Sequence, residues 1–195
     1  MPLLLKATIV LLFCFTLRPY PSGSLPSCAS RPTQETGYEI PEAKMTLTLP
    51  NQKWKLATHS GTGPVEYIFK REPIPDSSGR QIIPAIMIYV EDAEKYQQDV
   101  TLFSITKSGP FQQRGVKIDS TLIHTNKEYP LTYKNAYFMK ASYTQGGLAH
   151  ILYMIHIINK ANKGIQVYLD MTKELEERYG QEFWTTIRSI RESTH

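Results

Sequence analysis

Only two cysteines occur in the 195 residues, Cys14 and Cys28, and none follows them. An intramolecular disulfide is therefore excluded beyond residue 28, and so is thiol nucleophilic catalysis there. The folded part must be held by its core alone, and about 155 residues suffice for that. Other signatures are missing too: no P-loop, dinucleotide glycine fingerprint, His-Glu-x-x-His, Cys-x-x-Cys or Gly-x-Ser-x-Gly occurs. No Asn-x-Ser/Thr acceptor is present, which removes one mark of a glycosylated secreted protein. The net charge of +4 is small, and Lys6 and Arg18 lie ahead of the folded part. Nucleic-acid binding usually demands a clustered basic face, so no nucleic-acid partner is expected.

At the N-terminus, Lys6 precedes an apolar and Thr run over residues 7–17 that Arg18-Pro19 stops. This is the outline of a signal peptide, and the run falls short of the roughly 20 residues that a membrane helix needs. Small residues suited to cleavage stand at Ser22 and Ser24 and again at Cys28-Ala29-Ser30. Leu25-Pro26-Ser27-Cys28 resembles a loose lipobox, which makes Cys28 a candidate lipidation site, although ten residues separate it from the apolar run. Residues 1–28 are read as a signal or lipoprotein signal segment, residues 29–37 as a spacer rich in small and turn-forming residues, and residues 38–195 as one domain. The expected location is the bacterial periplasm or cell envelope, with contact to a membrane only through an N-terminal lipid.

Met45-Thr46-Leu47-Thr48-Leu49 alternates with period two and predicts a half-buried strand that Pro50-Asn51 ends. Trp54 falls in a stretch expected to be irregular. Residues 65–70 and 82–90 predict two more strands, joined by a loop over residues 71–81 whose prolines and Asp76-Ser77-Ser78-Gly79 have hairpin chemistry. Beyond Val90, Asp92 is a helix cap, and Ala93, Tyr96, Val100 and Phe103 share one helical face until Gly109-Pro110. Strands follow over residues 116–124, 135–143, 148–158 and 165–170, with tight turns at Gly146-Gly147 and Asn162-Lys163-Gly164. A last helix over residues 172–191 carries an apolar stripe of Leu175, Tyr179, Phe183, Ile187 and Ile190, with Gly180 as a point of weakness. The sum is an α+β fold: an antiparallel sheet of about seven strands flanked by two main helices.

Candidate chemistry is sparse. His150 and His156 share a strand face, yet six residues place them about 20 Å apart, too far for one metal ion. They are read as polar positions beside Leu152 and Met154 on the less apolar face; His59 and His124 fall in or beside loops without a visible partner. Nothing in the spacing of Glu91, Asp119 and Asp170 requires them to meet. Glu174, Glu176 and Glu177 suit the first turns of a helix. Twelve tyrosines are numerous for this length and gather in the strand region, where they normally pack across strands. The loop carrying Lys70, Arg71, Asp76 and Arg80 is the best candidate for contacting a partner.

Leu47-Thr48-Leu49-Pro50 with Trp54, the helix after Val90-Glu91-Asp92, Asn135-Ala136-Tyr137 in a strand, and the ending Glu182-Phe183-Trp184 to Ile187-Arg188-Ser189-Ile190-Arg191 together resemble the PsbP-like, Mog-like and DcrB-like superfamily. The resemblance implies an α/β/α sandwich and a binding or assembly role without catalysis. It carries over no functional residue. The expectation is an exported, non-enzymatic binding or assembly-support protein of the envelope, without a cofactor or a metal, whose partner is another envelope protein or complex. The alternative is a periplasmic small-molecule or metal-binding protein, hydrolytic in one version, that uses the Tyr- and His-bearing sheet face.

Overall fold

A computed structural model describes residues 36–61 and 64–193. The apolar run, Cys28 and most of the spacer lie outside the described residues.

Seven strands form the main sheet: β3 (Trp54–Ser60), β4 (Val65–Arg71), β7 (Ala85–Asp92), β8 (Lys117–Leu122), β9 (Ala136–Gln145), β10 (Leu148–Ile158) and β11 (Lys163–Thr172). They run antiparallel in the order β3-β4-β7-β11-β10-β9-β8: hairpins join β9 to β10 and β10 to β11, while the chain crosses through α1 from β7 to β8 and β11 returns beside β7. A second sheet holds β1 (Thr36–Ile40), β2 (Met45–Leu49) and β12 (Arg191–Glu192), with β2 in the middle. The loop read over residues 71–81 contains a two-stranded ribbon of β5 (Ile74–Pro75) and β6 (Gln81–Ile82). Outside that loop three strands escaped the sequence reading, β1, β3 and the two-residue β12. In β3 only Trp54 is buried, so no two-residue alternation advertises the strand.

Strand alternation divides the core. Ile151, Tyr153, Ile155 and Ile157 of β10 join Ile165, Val167 and Leu169 of β11 in the larger cluster, which also contains Leu175, Phe183 and Ile187 of α2 (Lys173–Ser189). The residues between them, Leu152 and Met154, face the other way with Tyr168, beneath α1 (Val100–Gln113) and its Phe111. β10 is therefore buried on both faces from His150 onward, and neither side of its centre is open.

Helix α1 starts later than the cap at Asp92 implied. Asp92 ends β7, a 3-10 turn follows over Glu94–Tyr96, and Gln97 and Gln98 adopt positive φ. Asp99 then caps the helix by accepting from the backbone N–H groups of Thr101 (2.9 Å) and Leu102 (3.0 Å). Pro110 does not end the helix: α1 runs on to Gln113, although the ring removes the donor to the Thr106 carbonyl. Nor does Gly180 break α2: it is buried, and a Cβ built on it would lie 3.4 Å from Glu176 Cγ.

The second sheet is locked to α2 by hydroxyls. Ser189 Oγ accepts from the Thr48 N–H at 2.7 Å, and Thr186 Oγ1 donates to the Thr48 carbonyl at 3.0 Å, so α2 takes over the backbone groups of β2 that the short β12 leaves unpaired. The outer strands of the main sheet, β3 and β8, each carry a register shift, at Leu56/Thr58 and Ile118/Ser120. Such irregularities discourage edge-to-edge pairing.

Gly164 in β11 has a packing reason to be glycine. A Cβ there would lie 2.8 Å from Cζ and 2.9 Å from Cε2 of Phe103, the ring that anchors the start of α1. Gly164→Ala is expected to destabilise the fold by about 1–3 kcal/mol through overpacking. Urea denaturation measures it, and Phe103→Leu in the same chain should return part of the loss.

Candidate functional site

The loop singled out for partner contact is largely committed inward. Arg71 ends β4 on the α2 side, buried, with Nε donating to Glu182 Oε2 (2.8 Å) and Nη2 to Oε1 (3.0 Å). Trp54 Nε1–H donates to the same carboxylate at 2.7 Å, and the guanidinium lies 4.9 Å from the Tyr179 ring centre. Asp76 is buried and organises the ribbon, accepting from the Ser78 N–H and hydroxyl and from the Arg80 N–H and Nε. Burial alone would raise its pKa, but these donors prevail and hold it at about 2. Of the four residues, Arg71 and Asp76 are thus structural, because a buried charge must be paired. Arg80 is exposed but tied to Asp76, and Lys70 is half-buried.

The histidines do not converge. His150 Nδ1 lies 3.1 Å from Asp170 Oδ1, and its ring stacks on Tyr143 at 4.8 Å. His156 is fully buried beneath α1, between the Ser104 hydroxyl (3.0 Å from Nδ1) and the Tyr168 hydroxyl (3.2 Å from Nε2). The face expected to be the less apolar one is thus interior at this point. His59 has a partner after all, stacking on Tyr67 at 4.3 Å, while His124 is exposed. Glu91 pairs with Lys107, Asp119 with the Ser142 hydroxyl and Asp170 with His150, so the three acids are held apart. Among the described residues, no three His, Cys, Asp or Glu side chains form a metal-holding group.

A different surface emerges where the segment between β8 and β9 folds back over α2. That segment is pinned from within: Tyr129 OH donates to the Tyr133 carbonyl (2.7 Å), Thr132 Oγ1 to the Ile190 carbonyl (3.1 Å), and Leu131 and Tyr133 are buried. Opposite stands Trp184 of α2, half-buried, with its ring centre 5.6 Å from both Phe138 and Tyr153. Tyr153 is itself fixed by donating to Glu176 at 2.6 Å. Arg188, one turn along, lies over the Trp184 ring at 5.5 Å. Lys127, Glu128, Tyr129 and Pro130 form one wall and Trp184 and Arg188 the other, around an open groove of about 520 Å³. Neither Lys127 nor Arg188 takes part in an ion pair among the described residues. The groove therefore carries two uncompensated cations around an aromatic floor, with Glu128 as its one acid. The sequence held one signal for it: Trp184 lies one residue off the apolar stripe of α2, where a large ring is only partly covered.

The sequence matches no family model and no curated protein. Solved structures do resemble it. The Saccharomyces cerevisiae Ran-binding protein Mog1p aligns with a TM-score of 0.53 at 6% identity, over 83% of this chain and 97% of that one. Cyanobacterial PsbP from Synechocystis sp. PCC 6803 aligns at 0.48 and 14% identity, over 86% and 98% of the two chains. A Pseudomonas aeruginosa protein of unknown function, PA94, aligns at 0.46 and 14%, over 76% and 90%. At such identities the likeness is one of architecture, and a shared fold does not carry function. The antiparallel sheet between α1 on one side and α2 with its small sheet on the other makes an α/β/α sandwich, similar in fold to Mog1p.

Proposed function

We propose that this chain is an exported, non-catalytic factor that acts by binding another protein of the cell envelope, with the Trp184 groove as its working surface. One observation carries the reading: a half-exposed tryptophan, an unpaired arginine stacked on it, a tyrosine and a proline line one rigidly supported groove. Trp, Tyr and Arg are the residues that dominate binding energy at protein interfaces. Rigid walls lower the ordering cost of association. Mog1p, with a similar fold, is described as a Ran-binding protein, which is in keeping with this use of the sandwich. Export rests on Lys6 followed by the apolar run over residues 7–17.

The test is crosslinking in the native envelope followed by capture of the protein. Lys127→Glu with Arg188→Glu changes two exposed side chains and spares the core. The double variant is expected to lower partner recovery about tenfold, corresponding to about 1.4 kcal/mol. Equal recovery from the two proteins would remove the groove from the proposal. Intact-mass measurement of the mature N-terminus decides between simple cleavage and lipidation at Cys28. A metal- or small-molecule role on the sheet face has only the His150–Asp170 pair in its favour, and that pair lacks a third ligand among the described residues.

A further inference from the structure

We infer that the groove between residues 127–130 and α2 receives an extended acidic segment of the partner protein, one in which carboxylates flank a proline or aromatic ring. This inference rests on the groove being the binding surface and adds the chemistry of what it binds. Lys127 stands on the loop wall and Arg188 on the helix wall, with Trp184 as the apolar floor. A chain that satisfies all three places a ring on the indole and a carboxylate toward each wall. Arg188 is suited to this, because its guanidinium already lies over the Trp184 ring and no carboxylate among the described residues pairs with it. A stacked guanidinium forms a bidentate pair with a carboxylate at a reduced entropic cost. Tyr129 has its hydroxyl spent on the Tyr133 carbonyl, so it offers the incoming chain its ring and no donor.

Shape and charge argue against other occupants. The groove is open along the surface, whereas small-molecule sites enclose most of their ligand. It holds two cations and the carboxylate of Glu128, whereas a nucleic-acid backbone is met by a longer row of basic residues. Extended peptides with proline docking on aromatic grooves are a recurrent recognition mode.

Fluorescence anisotropy on the full protein tests this with three labelled peptides: one alternating glutamate and proline around a central phenylalanine, one with glutamine for every glutamate, and one with lysine. The glutamate peptide is expected to bind about tenfold more tightly than the glutamine peptide and to weaken as salt rises. Lys127→Glu with Arg188→Glu should abolish that preference, and the lysine peptide should then bind better to the variant than to the parent. Equal binding of glutamate and glutamine peptides overturns the inference, as does a single-stranded oligonucleotide that binds the groove as tightly as the glutamate peptide. If the peptides are silent while crosslinked partner recovery still depends on Lys127 and Arg188, the groove stands and its acidic occupant falls. If both are silent, both fall.

Discussion

Arg71→Ala is expected to destabilise the domain by about 3–5 kcal/mol, and Glu182→Ala by a similar amount, as measured by guanidinium unfolding at neutral pH. The two side chains are only 6% and 17% exposed and make two parallel hydrogen bonds. Trp54 donates to the same carboxylate, so Glu182 ties β3, β4 and α2 together at one point. Removing either partner strands a buried charge. Burial by itself would raise the Glu182 pKa, but the donors of Arg71 and Trp54 prevail and hold it below its usual value. The stability from this carboxylate is therefore present above the ordinary glutamate range and is lost as pH falls below it. Arg71→Lys should recover little, because an ammonium cannot form the fork. The double variant Arg71→Met with Glu182→Leu should be more stable than either alanine variant, since no lone charge remains. If the alanine variants unfold with the parent, the pair does not tie the sheet to the helix.

Acid should act on a second point, His156. Its imidazole is fully buried, and burial, reinforced by the charge of Lys107, lowers its pKa from 6.5 to about 3. The groups around it form a directional chain. Tyr168 OH donates to Gln166 Oε1 (2.8 Å), which leaves the tyrosine oxygen to accept from Nε2–H and Nδ1 to accept from Ser104. A second proton on the ring has no acceptor in this arrangement. Because the folded pKa lies below the unfolded one, the contribution is complete above about pH 6.5 and declines as pH falls toward about 3. The loss is on the order of 4 kcal/mol over that window. Asp76 loses its contribution only as pH falls from about 3.8 toward about 2, so the upper part of the window belongs to the imidazole rather than to that acid. His156→Gln keeps polar atoms beside Ser104 and Tyr168 and removes the titration. Its stability at neutral pH should fall, while its decline between pH 6.5 and 4.5 should be shallower than that of the parent. Parallel declines in the two proteins would sink the assignment.

Much of the architecture was legible because it depends on local patterns. Hairpin turns at Gly146-Gly147 and Asn162-Lys163-Gly164 fixed the antiparallel order from β9 through β11, and the stripe from Leu175 to Ile187 fixed the buried face of α2. The start of α1 was misplaced because Asp92 and Asp99 are both competent caps, and only the positive φ of Gln97 and Gln98 decides between them. The fate of Arg71 was hidden for a different reason. Beside Lys70 and before a turn, it looks like a surface charge, and its carboxylate partner lies 111 residues away. The same holds for His156: even spacing put it on one face with His150, but nothing local says that α1 crosses above one and not the other. The groove combines a loop and a helix distant in sequence, so only the fold assembles it.

The way α2 completes β2 has a consequence for biosynthesis. Thr48 waits for Thr186 and Ser189, which leave the ribosome 138 and 141 residues later. A nascent chain folds from its N-terminus where it can, but here the sheet of β1 and β2 has no finished edge until α2 has been translated. Chains that stop early, or that are clipped before α2, would carry an open strand able to pair with other molecules.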